Sequence, residues 1–98
     1  MDKATDFSKF GKAFQETLAH MIMDQRAFAD QIKEVLSIEF FELKYLQVFV
    51  QKIFSHKDKY GVHPSKMAMT SILRTDLEDE NPATQKQTRD FFARIFKS

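Results

Sequence analysis

Apolar residues recur at spacings of three and four along most of this chain. Phe7, Phe10, Phe14, Leu18, Met21 and Ile22 form the first series, with Lys9, Lys12, Gln15 and Glu16 between them and Thr5, Asp6 and Ser8 as cap oxygens ahead. That period predicts an amphipathic helix over 8–23 with the four polar residues turned outward. Phe28, Ile32, Val35 and Leu36 mark a second helix over 25–36, with Asp24 as its expected cap. After a break at 37–39, the run from Phe41 to Tyr60 reads as a third helix. Leu46, Phe49, Val50 and Ile53 line one face, and Tyr45, Val48 and Phe54 widen it beyond the usual stripe of ~100°. A helix this apolar belongs at the centre of a fold, so its aromatic residues are expected mainly in the core.

The punctuation agrees with the period. In "HKDKYGVHPS", Gly61 is placed to end the third helix in a left-handed conformation and Pro64 prevents its continuation. Ser65 then caps a fourth helix over 65–75 that holds Met69, Ile72 and Leu73. The acidic connector "RTDLEDENPA" leads to Asn81 as a cap and Pro82 at the first position of a fifth helix, 82–97. Its first half is polar and its second half, "FFARIF", is apolar. The expectation is therefore all-α: a compact bundle of about five helices in a single domain, 1–98, with Val62 in an extended stub.

Composition narrows the functional classes. With 98 residues the chain has room for one core. Fifteen basic against fourteen acidic residues leave a formal charge of +1, too little to draw in phosphate backbones or anionic lipid at a distance. The absence of cysteine excludes disulfides, thiol catalysis and cysteine-bound zinc, and suits a cytoplasmic location. No apolar run approaches the ~20 residues of a membrane span.

Candidate chemistry is sparse. Gly11-Lys12 lacks the earlier glycine and the following Ser/Thr of a phosphate-binding loop, since Asp6 and Ala13 stand there. His20 and Asp24 lie one turn apart, but a metal site needs three or four converging ligands. His56 reads as a surface residue and His63 as an extended loop residue before proline. Asp76, Glu78, Asp79 and Glu80 lack the alternation, central glycine and distal glutamate of a calcium loop. No nucleophile–base–acid order can be assembled. The expectation is no catalytic residue, no cofactor, no metal and no enzyme activity in this chain. What remains is apolar: Phe91, Phe92 and Phe96, then Tyr45, are the candidate partner contacts, because buried aromatics are common interface anchors.

The run "LAHMIMDQRAFADQIKEVLSIEFFELKYLQVFVQKIFSHKDKYGVHPS" resembles the N-terminal domain of DnaB-type replicative helicases, including diverged versions in large bacteriophages. That family has a first helix ending in an apolar turn, an acidic residue, a short second helix, a pair "FF" or "FY", a long aromatic helix, and a Gly-x-x-Pro-(Ser/Asp) loop opening the next helix. Asp24, Phe28, Phe40, Phe41, Phe49, Ile53, Tyr60, Gly61, Val62, Pro64 and Ser65 occupy those places. The resemblance covers about residues 10–75. Residues 76–98 supply one helix where the family has a two-helix hairpin for dimerisation, and the 98 residues do not include an ATPase motor.

The resemblance implies a collar domain, excised or free-standing, that supports ring assembly, pairs with its own copies and docks primase or a helicase loader. The parent would be an ATP-dependent DNA helicase. Two other readings are the related helicase-binding domain of a primase and a stand-alone regulator, for example of phage origin, that captures a host protein. A helix-turn-helix at Tyr60–Ser65 is disfavoured, because the following helix offers only Lys66 and Arg74 to phosphates. No direct nucleic-acid site and no membrane contact are expected.

Overall fold

In the computed structural model, which describes residues 7–97, five helices pack around one core and no strand forms among the described residues. They are α1 (Gly11–Asp24), α2 (Arg26–Lys33), α3 (Lys44–Tyr60), α4 (Lys66–Thr75) and α5 (Pro82–Lys97), with short 3-10 turns at Ser8–Phe10 and Ile38–Phe40. The all-α bundle matches the expectation from periodicity. The expected caps Thr5 and Asp6 lie outside the described residues.

Helix α3 is central, packing against α1, α4 and α5. Seven of its residues are buried, including Tyr45, Val48 and Phe54 from the widened face. Phe49 is fully enclosed and meets Phe91 of α5 edge to face, centroids 4.9 Å apart and planes at 88°. That orientation sets a positive ring edge against a negative ring face.

The connections follow their local chemistry. Gly61 has φ 73° and its N–H bonds Lys57 O at 2.8 Å, so a left-handed glycine closes α3. Ser65 Oγ accepts the Ala68 N–H at 3.0 Å, and Asn81 Oδ1 accepts the Thr84 N–H at 2.8 Å. Both expected caps are therefore formed.

Four expectations are corrected. The first helix does not run unbroken from residue 8: Gly11 has φ 82° and ψ 172°, a conformation that L side chains rarely adopt, and it separates a 3-10 turn from α1. Asp24 does not cap the second helix but ends α1, and Gln25 takes the cap position without a side-chain bond. Helix α2 stops at Lys33. Its last turn tightens through Val35 N–H to Ile32 O at 3.0 Å, leaving Val35 75% exposed rather than in the buried stripe. Helix α3 starts at Lys44, not Phe41, because residues 38–43 make a 3-10 turn followed by extended backbone that sinks Phe41 into the core.

A fifth correction explains the fourth. Gln15, expected to face solvent, is 0% exposed. Its Oε1 accepts the N–H groups of Glu42 and Leu43 at 2.9 and 3.3 Å, and its Nε2 donates to Phe7 O at 3.3 Å. Gln47 Nε2 donates to Phe41 O at 2.6 Å, and Phe7 N–H donates to Phe40 O at 2.8 Å. A helix starting at Phe41 would use the Phe40 and Phe41 carbonyls internally and still leave the Glu42 and Leu43 N–H groups without partners. Here two glutamines and one backbone bond satisfy them, so an irregular link can be buried.

Candidate interaction surface

Among the described residues no group of three or more His, Asp or Glu is placed to hold a metal ion. No described helix is long and apolar enough to cross a membrane. His63, expected as a plain loop residue, is half-buried: Nε2 lies 2.8 Å from Met23 O and Nδ1 lies 3.4 Å from Lys57 Nζ. The Lys57 ammonium also pairs with Asp30, whose carboxyl it holds below the ordinary value. This set pins the α3–α4 link to the end of α1. His56 packs against Tyr60, with ring centroids 4.7 Å apart and planes tilted by 48°.

The four candidate contact residues separate into two pairs. Tyr45 and Phe91 face inward, both buried, with ring centroids 6.1 Å apart. The Tyr45 hydroxyl donates to Glu16 Oε2 at 2.5 Å, and Arg94 makes a two-pronged bond to the same carboxylate, 2.9 Å on each arm. Burial, then the bond to Glu16, raises the Tyr45 phenol to about 12. The hydrogen bond from Arg94 lowers the Glu16 carboxyl below the ordinary range against the opposing effect of burial. Tyr45 and Phe91 thus hold α5 against α1 and α3.

Phe92 is also buried, its ring centre 6.2 Å from that of Phe49, and Phe96 lies beside it toward α4, with ring centroids 4.8 Å apart. Phe96 is half-buried, and the Lys66 ammonium lies 5.0 Å from its ring centre. At the opposite end of the same helix pair, Arg89 Nε donates to Leu73 O at 2.7 Å, and its Nη2 is 3.5 Å from Arg74 O. Residue 66 lying beside 96 and 73–74 beside 89 make α4 and α5 an antiparallel hairpin. Between them opens a cavity of about 220 Å³ lined by Thr70, Leu73, Arg74, Arg89 and Phe92. Met67, 82% exposed, stands one turn before Thr70 on the same side of α4.

The sequence pointed to Phe92 and Phe96 as partner contacts but not to the groove that brings Arg74 and Arg89 together beside Phe92. The period of α4 holds a signal for it: Thr70, Leu73 and Arg74 recur at three and four and share one side of the helix. The facing helix cannot be read from that spacing. No family model, curated protein or solved structure matches this chain.

Proposed function

We propose that this chain is the non-catalytic N-terminal interaction domain of a DnaB-type replicative DNA helicase, supporting ring assembly and the docking of primase or a helicase loader. The observation that carries the reading is the link from α3 to α4, where the residues of the Gly-x-x-Pro-Ser pattern each have a defined task. Gly61 turns left-handed, Pro64 is buried, and Ser65 caps the next helix. The "FF" pair fits the same reading: Phe40 packs edge to face on Phe7 at 5.7 Å, and Phe41 does so at 5.3 Å while fully buried. The role is one of surface rather than chemistry. Partner helices would cover apolar side chains left between the outer elements, a mode that typically hides ~800 Å² per partner.

The test is the size of the native gene product, detected in extract of its natural source with an antibody against this chain. A band several times heavier than 11.5 kDa, yielding peptides of a nucleotide-binding loop, is the expected result. A band at 11.5 kDa with no motor sequence attached overturns the helicase reading.

A further inference from the structure

We propose that the groove between α4 and α5 is a docking site for an acidic linear peptide of a partner protein. Its carboxylates would meet Arg74 and Arg89, and an adjacent leucine or phenylalanine side chain would enter the cavity over Leu73 and Phe92. Nothing in this groove depends on the chain being part of a helicase.

Three features identify the occupant. The first is charge. Among the described residues neither Arg74 nor Arg89 takes part in an ion pair, and Asp76, the acidic residue next to the end of α4, is engaged by Lys52 at 3.2 Å. Arg89 is also fixed in direction, since its bonds to the carbonyls of Leu73 and Arg74 employ Nε and Nη2 and leave the Nη1 protons for an incoming acceptor. A guanidinium held by carbonyls loses little freedom when a carboxylate arrives.

The second feature is volume. The cavity, about 220 Å³, is larger than the ~150 Å³ that admits a benzene ring in an apolar interior. Its floor is the aliphatic side chain of Leu73 and the ring of Phe92. One large apolar side chain fits.

The third feature is length and direction. From Met67 to Arg74 is two turns of α4, ~10 Å at 1.5 Å per residue. The arginines stand at one end, and Met67 and Phe96 lie at the other. A peptide of three or four extended residues spans that distance with its acidic part at the arginine end.

A phosphate backbone fits less well. The floor between the cations is apolar rather than hydrogen-bonding, which suits a carboxylate followed by an apolar side chain better than a run of phosphates.

The test selects binders from a random dodecapeptide library on the immobilised chain. Enriched sequences should place Asp or Glu beside Leu or Phe. Affinity of a selected, fluorophore-labelled peptide should fall about tenfold or more in Arg74→Glu and several-fold in Met67→Ser. Both side chains are exposed and make no hydrogen bond among the described residues, so the two variants should melt as the wild type does. Enrichment without acidic residues, no enrichment at all, or equal binding by Arg74→Glu would each overturn the proposal. So would backbone amide shifts of the peptide-bound chain lying away from α4 and α5. Displacement of the peptide by an equally tight single-stranded oligonucleotide would assign the arginines to phosphates instead. Concentration-dependent dimerisation blocked by the peptide would place a second copy in the groove. Either result would remove the peptide as occupant.

Discussion

A single amide organises the least regular part of this protein. Gln15 lies fully buried and accepts two backbone N–H groups of the link into α3. Gln15→Leu keeps the volume and removes both acceptances, leaving two part-buried donors without their partner at a cost of about 2 kcal/mol. Urea unfolding should show this loss, and a midpoint like that of the wild type would mean that water replaces the amide. Tyr45 is a second side chain whose burial can be tested directly. In a Tyr60→Phe background the remaining phenol is Tyr45, and its ultraviolet phenolate band should appear only as pH approaches about 12. The sign follows from linkage: a phenol raised in the folded state adds stability that is complete below the ordinary tyrosine value and is lost as pH climbs from there to the folded value. A phenolate band at the ordinary tyrosine pH in folded protein would contradict the buried bond to Glu16.

Elements that end on a chemical signal were legible. Gly61, Pro64, Ser65, Asn81 and Pro82 each act through their own backbone or side chain within a few residues, so the ends of α3, the start of α4 and the start of α5 could be read without tertiary information. The start of α3 could not. It depends on Gln15 and Gln47 reaching across to residues 41–43, and the apolar series Phe40–Phe41 continues the helical period straight through the link. The face of α1 was misjudged for a related reason. Its buried stripe is Gln15, Ala19, Ile22 and Met23, while Phe10 and Phe14 are exposed. A polar residue at the head of the stripe rotates the apparent face by one position, about 100°. Thr84 and Thr88 hid the first half of α5 likewise. They are buried, and the Thr88 hydroxyl donates to Thr84 O at 2.7 Å, so polar letters there serve as core. The candidate surface was half legible: the aromatics of α5 were visible, but the groove needs the antiparallel neighbour. Where local signals set the ends, local substitutions should act independently. Ser65→Ala and Asn81→Ala should each cost about 1 kcal/mol, and the double variant their sum, because each cap serves a different helix. Gly61→Ala should cost about 1 kcal/mol through its left-handed φ alone, since a Cβ there meets nothing within 4 Å. A clearly larger loss would mean that the α3–α4 turn had moved.

Across the whole molecule, the contact that spans most of the chain is the ion pair of Glu16 on α1 with Arg94 near the end of α5, 78 positions apart. Closing so long a loop is entropically costly, and core contacts such as that of Phe91 with Phe49 help to offset it. The ion pair acts on top of that as an orienting bond. Arg94 is about half exposed, so solvent screening keeps the contribution near ~1 kcal/mol or below despite the two-pronged geometry. Its dependence on pH has a definite sign. The Glu16 carboxyl is lowered chiefly by the Arg94 hydrogen bond, so its contribution is complete above the ordinary glutamate range and disappears as pH falls through that range to the lower folded value. Urea midpoints of wild type and Arg94→Gln, measured from neutral to acid pH, should therefore differ at neutrality and converge as the carboxylate is protonated. Glu16→Gln should show the same convergence, whereas Lys86→Gln, which removes an exposed pair within α5, should leave the acid profile nearly unchanged. Two profiles that stay parallel through the acid range would mean that Arg94 acts by packing over Phe91, whose ring centre lies 5.5 Å from the guanidinium carbon, and not by its charge on Glu16.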